Sequence, residues 1–231
     1  MSEKVDAAVL NNIVWCGIVC ETHGITATSS EHIWKTTSKS PPYYPDMITS
    51  SRHVIVDEVM DIITNKEISG IKDSFANLDL SPYDFELLFT ADWIYHEPVV
   101  KLESIPSGWI HVTTDNEFAE WNSAHGLENV IKPDLMKRSD VKIYLYRNKG
   151  EVSGFIANLS ASAVGISNVF SSADIDHTWS DIHHIVASDF PGLPMVGYES
   201  GTYLTAALKS GWTFVGPLRV WGRTNRRSTD G

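Results

Sequence analysis

Cysteine is almost absent from this chain: two among 231 residues, Cys16 and Cys20. A disulfide-stapled secreted scaffold is thereby excluded, and free thiols in a reducing compartment are expected. Basic residues are also short. Eighteen Lys and Arg stand against 29 Asp and Glu, a formal net charge of −11, which excludes the phosphate neutralisation that non-specific nucleic-acid binding needs. No run approaches the roughly 18 consecutive apolar residues of a membrane span. The opening residues, Met1 to Asp6, lack the basic and apolar blocks of a signal peptide. A cytoplasmic location without a membrane partner is the expectation. Neither a P-loop nor a G-x-S-x-G nucleophile motif is present.

What is present suffices for a core: 42% hydrophobic and 20% charged residues. The charge is unevenly placed. Residues 1–108 hold 16 acidic and 7 basic side chains, whereas residues 109–231 hold 13 and 11. The patch Ser104-Ile105-Pro106-Ser107-Gly108 is the natural boundary, giving an N-terminal accessory region, 1–108, and a second domain, 109–231. The first region opens with an apolar helix from Ala7 to Cys20 that ends near Gly24. Cys16, Cys20 and His23 have a spacing open to a soft metal. Packing of free cysteines is the plainer reading, since no second ligand pair exists. Pro41, Pro42 and Pro45 surround Tyr43 and Tyr44 in a segment, Pro41 to Asp46, open to a recognition loop that forms a substrate wall; a turn that joins two elements is the plainer reading. Ser51 is the expected cap of a helix through Asn65, and Phe85–Ile94 reads as a strand.

The second region is more legible. Trp109–Thr113 predicts a strand, and Asp115 the cap of a helix through Ser123. Lys142–Arg147 and Val152–Leu159 alternate like strands around the turn Asn148-Lys149-Gly150. Ala163–Phe170 is a third strand. A helix over Asp176–Ser188, a strand over Leu193–Glu199, a helix over Gly201–Lys209 and a strand or strand pair over Trp212–Trp221 follow. The order β-α-β-β-β-α-β-α-β predicts an α+β fold in α/β layers: a mixed, mainly antiparallel twisted sheet with flanking helices.

That order, with Leu193–Glu199, Leu204–Leu208 and Gly211-Trp212-Thr213-Phe214-Val215-Gly216, resembles the GNAT superfamily of acetyl-coenzyme A-dependent N-acetyltransferases over residues 109–222. The resemblance implies an enzyme that moves an acetyl or related acyl group from acetyl-CoA to an amine of a small molecule or peptide. It implies a bulge and a strand splay near Asn168. Asn168, Val169 and Phe170 would line the cofactor arm, and Ser171 would open the phosphate loop. Where the superfamily carries Arg or Gln followed by x-x-Gly-x-Gly or Ala, this chain has Ser171-Ser172-Ala173-Asp174-Ile175-Asp176-His177-Thr178. Its aspartates would cap the next helix and compete with a phosphate. The position of the thiolate-protonating tyrosine is Ala207, leaving Tyr198 and Tyr203 as substitutes. Tyr198 is the expected catalytic residue, with Glu199 on the opposite strand face capping the following helix.

His177, Asp181 and His184 share one face of the predicted helix, a spacing open to zinc. With Trp179, Ile182 and Val186 turned to the core, a solvated face is the simpler expectation, and no metal is assigned; the family resemblance leaves His177, at the helix start, open to a role as base or phosphate neighbour. Arg223, Arg226 and Arg227 read as a frayed basic end. Two further readings use the same cleft or the acidic half: a catalytically reduced GNAT-like protein that binds a ligand or partner, and an interaction module.

Overall fold

The computed structural model describes residues 2–99, 104–172 and 174–224. Arg226 and Arg227 lie outside the described residues. Among the described residues five α-helices, two short 3-10 turns and eleven strands follow one another. Helix α1 (Ser2–Thr22) leads into β1 (Ala27–Ser29), β2 (Ile33–Thr36) and β3 (Met47–Thr49). Helix α2 (Val56–Asn65), β4 (Gly70–Asp73), β5 (Phe85–His96) and β6 (Trp109–His111) follow. Next come α3 (Asp115–His125), β7 (Val141–Asn148), β8 (Glu151–Ser160) and β9 (Ala163–Ser171). The last are α4 (Ile175–Asp189), β10 (Met195–Glu199), α5 (Gly201–Lys209) and β11 (Thr213–Arg223). From β6 onward the order of elements is the one expected from the sequence.

All eleven strands form one mixed sheet, ordered β1-β2-β3-β4-β11-β5-β10-β9-β8-β7-β6. Strand β5, from before residue 108, is hydrogen-bonded antiparallel to β10 on one edge and to β11 on the other. The β7–β8 turn is tight: Asn148 pairs with Glu151, and Lys149 and Gly150 between them have φ of +48° and +91°. Two consecutive left-handed residues match the twist of a hairpin.

Alternation along the strands assigns the layers. On β8, Phe155 and Ala157 join the core beneath α4 and α5, while Ile156 packs with Trp15, Phe118 and Trp121 of α1 and α3. On β3, Met47 faces the α2 core and Ile48 faces Cys16 and Cys20 of α1. Helices α1 and α3 thus cover one face, and α2, α4 and α5 the other. Helix α1 is long and apolar enough to cross a membrane, but half of its span Glu3–Thr22 is buried inside the protein. Asn11 fixes it there. Its amide nitrogen donates to the carbonyls of Asn158, Ser160 and Ala163, and its oxygen accepts from Asn158.

Two caps differ from expectation. Helix α2 starts at Val56 behind Ile55, which offers no side-chain cap, while the Ser51 hydroxyl instead accepts from the His53 amide in a turn. Helix α3 is capped by Thr114, whose hydroxyl accepts from Glu117 as the Glu117 carboxylate reaches back, a capping box that includes Asp115 as its first helical residue. Strands β1 to β4 had no sequence signal, being three or four residues each.

Candidate functional site

The sheet forks at its centre. Strands β9 and β10 run parallel and pair only at Val164 with Met195 and Gly165 with Val196. Beyond those rungs β9 continues to Ser171 and β10 to Glu199 with no further pairing between them. Gly197 stands in the crotch, where a Cβ would lie 2.9 Å from the Ile166 carbonyl oxygen. Only glycine admits that approach without shifting backbone. On its other edge β9 bulges. Ile156 of β8 pairs with Ser167 and Gly154 with Phe170, leaving Asn168 and Val169 opposite Phe155 alone. Asn168 adopts φ +54°, the left-handed conformation that asparagine tolerates better than most residues. The bulge and the splay both lie where the family resemblance implies them.

The fork opens onto a cavity of about 260 Å³ on the α1 face. Asn12, Trp15 and Cys16 of α1 supply one wall, and Ile166–Val169 with Tyr198 and Glu199 supply the fork itself. Tyr43, Tyr44 and Pro45 close it, so the proline-rich turn between β2 and β3 is a cavity wall as well as a connection. Tyr44 is held at its phenol by the side chains of Asn168 and Trp15, and burial pushes that phenol up from its ordinary pKa. Through Tyr43, Tyr44, Pro45, Lys72 and Tyr198 the chamber shares walls with a second, largely apolar cavity of about 640 Å³. Leu88, Phe89 and Val220 line its far side.

Tyr198 packs edge-on against Trp93 at 5.4 Å between ring centroids, with the Lys72 ammonium 4.3 Å above its own ring. Glu199 borders the same cavity, where burial pushes its carboxyl up to about 8, opposed by a hydrogen bond from the Ser200 amide. It was expected only as a helix cap. Strict alternation would send the two side chains apart, but at a strand end beside an open fork both can reach one chamber. Across the fork, Tyr203 of α5 meets the Ser171 backbone, and burial followed by the Glu199 charge raises its pKa.

Of the three residues expected along the cofactor arm, Asn168 and Val169 line the chamber. Phe170 turns into the α1/α3 core, edge-on to Trp121 and His125 at 5.5 and 5.3 Å. Ser171 borders a separate pocket with Asp174 and His177. At the start of α4, Asp174 is the cap, and its carboxylate accepts from the Asp176 amide at 2.9 Å. Asp176 in turn pairs with Lys209 at 2.7 Å. Ala173 of this loop lies outside the described residues. Ala207 is fully buried in the core.

The His177/Asp181 face is not simply solvated. Asp181 is buried and accepts from the Trp109 indole at 2.9 Å, with His177 3.5 Å away. Trp109 lies outside the helix, so nothing in the helical periodicity announced its carboxylate partner. Among the described residues no three His, Cys, Asp or Glu side chains come together as a metal site. Cys16 and Cys20 are free and buried, with both thiols pushed up by burial, Cys20 to about 12.

No protein-family model matches the chain, and no curated protein matches it. Solved structures do. A conserved protein of unknown function from Staphylococcus epidermidis is similar over 85% of this chain and 93% of its own, with a TM-score of 0.60 and 11% identity. A putative acetyltransferase of the GNAT family from Novosphingobium aromaticivorans is similar over 94% of this chain and 99% of its own, with a TM-score of 0.57 and 10% identity. The chain therefore has a divergent GNAT-like fold.

Proposed function

We propose that the protein is a GNAT-type N-acyltransferase that moves an acetyl or related acyl group to an amine of a small molecule or peptide. One observation carries this reading: the fork between β9 and β10, bulged at Asn168 and Val169, opens onto a chamber bordered by Tyr198 and Glu199. On this reading residues 109–231 form the acyltransferase core, and residues 1–108 are an accessory region that supplies walls of the chamber. Two buried free thiols suit a reducing compartment such as the cytoplasm.

Acetyl-CoA, the donor such a fold implies, supplies an acyl thioester when bound. The fork fits the acyl-bearing arm, since backbone edges of β9 and β10 diverge there without pairing to each other. The start of α4 does not fit a diphosphate, because Asp174 already takes an amide and two carboxylates stand where negative charge would have to rest. Glu199, with a pKa of about 8, is a base matched to receiving a proton from an amine near neutral pH. Tyr198 is the acid placed nearest to it in sequence, with its ring held by Trp93 and Lys72.

The crowded α4 start and the buried Ala207 favour a second reading, a catalytically reduced GNAT-like binding protein. Calorimetry with millimolar acetyl-CoA separates the two: heat of binding is expected, and its absence removes the enzyme. Thiol release over an amine panel then tests chemistry. Tyr198→Phe is expected to slow turnover by roughly 100-fold, and unchanged turnover would remove Tyr198 from the acid's role.

A further inference from the structure

Among the described residues Lys72 is the only buried lysine or arginine, at 3% exposure. Its ammonium carries three donors. One is used on Asn12 Oδ1 at 2.7 Å, and the Tyr198 ring lies 4.3 Å from the nitrogen. Among the described residues no carboxylate approaches it within 4.0 Å. A cation withdrawn from water without a counter-charge is costly, and buried charges are ordinarily paired. Lys72 borders both the chamber at the fork and the larger apolar cavity, at their shared wall.

We propose that Lys72 binds the carboxylate of an amino acid whose large apolar side chain fills the 640 Å³ cavity. Several observations select this ligand. A single lysine balances a carboxylate, whereas a phosphate dianion would need a second cation. Of the other charged groups on these walls, Glu199 borders the chamber and Asp46 the cavity, both working against greater negative charge, while Lys39 borders the cavity as an exposed side chain that keeps its charge in solvent. Asp46 is itself occupied by Ser40 and the Ser69 amide, so it leaves Lys72 unpaired. Leu88, Phe89, Val220 and Pro42 offer the side chain an apolar wall. The ligand's amine then lies toward the chamber that Tyr198 and Glu199 border. As the acyl acceptor, this amino acid rests on the acyltransfer reading; as a ligand it does not.

The test is calorimetry on the full chain without an acyl donor. Phenylalanine, leucine and tryptophan are each compared with their carboxamides and their decarboxylated amines. At least one acid is expected to bind about tenfold or more tighter than both of its analogues. Lys72→Met is expected to abolish that preference while leaving carboxamide affinity unchanged, and Lys72→Arg to keep it. Leu88→Asp, at the exposed rim, is expected to weaken acid and carboxamide together. Equal binding of acid and carboxamide overturns the proposal. So does an unchanged preference in Lys72→Met, or no binding of any acid at about 10 mM. If Lys72→Met does not fold, the wild-type ratio and Lys72→Arg decide alone. Amino-acid binding with silence toward acetyl-CoA sinks the acyltransfer reading and leaves the Lys72 assignment standing.

Discussion

Glu199 carries a tension between stability and function that can be measured. Its carboxyl is pushed from an ordinary value of 4.5 to about 8 by burial. Between those values the folded state holds the proton and the unfolded state releases it. Stability from this group is therefore intact below pH 4.5 and declines as pH rises, with the full penalty present above pH 8. The penalty is roughly 2–4 kcal/mol once partial solvation is allowed for. Glu199→Gln, neutral at every pH, is expected to match the wild type in urea unfolding at pH 5 and to exceed it at pH 9. On the acyltransfer reading, the same variant is expected to lose amine acylation, which in the wild type should rise with pH through a midpoint near 8. A Glu199→Gln protein no more stable than the wild type at pH 9 would show that the carboxylate is not held against its charge. The placement of Tyr198 and Asn168 beside the fork was legible in the sequence because the order of elements located them. Glu199 was not, because period-two alternation describes a paired strand and fails at a strand that has left its neighbour.

At the scale of elements, the fork depends on two glycines with distinct tasks. A Cβ at Gly197 would meet the Ile166 carbonyl, which is backbone and cannot rotate away. A Cβ at Gly165 would stand 1.9 Å from Asn11 Oδ1 and 2.5 Å from Asn158 Oδ1, inside the amide cluster that fixes α1 to the β8–β9 hairpin. Gly165→Ala is expected to cost about 2–4 kcal/mol, since displaced Asn11 leaves buried carbonyls without donors. Gly197→Ala is expected to cost about 1–3 kcal/mol and to widen the fork. Urea titration of both variants measures this, and losses below about 0.5 kcal/mol would show that the fork relaxes freely. The Asn11–Gly165 contact is not visible in the sequence, because the two residues lie in different halves of the chain. The long strands from β7 onward were legible through alternation and a strong turn signal at Lys149-Gly150. Strands β1 to β4 are too short to show a period, and their pairing is set by neighbours remote in sequence. The same limit hid the Trp109 indole that turns Asp181 from a solvated residue into a buried one.

Across the whole molecule, the charge split and the Pro/Ser/Gly patch near residue 108 mark a change of composition that the sheet does not follow. Strand β5 is hydrogen-bonded on both edges to strands from beyond that point. One core cluster joins Val5, Ala8 and Val9 of α1, Ala91 and Trp93 of β5, Val196 of β10, and Val215 and Leu218 of β11. Cutting the chain at residue 108 would strip β10 and β11 of their common partner and uncover this cluster. The edge of β10 would then offer unpaired amides and carbonyls to other chains. Residues 109–231 expressed alone are accordingly expected to aggregate or to lack a cooperative thermal transition. Co-expression with residues 1–108 is expected to restore one complex with the near-ultraviolet circular dichroism of the intact protein, since Trp93 and Trp121 are fully buried in core clusters that draw residues from both parts. A soluble 109–231 fragment with a sharp unfolding transition would show instead that residues 109–231 close a core without β5. The accessory region would then be a separable addition to a complete fold. If the fragment fails and the pair succeeds, the acidic half is structural to the fork itself, because β5 backs β10 along the strand that ends at Tyr198 and Glu199.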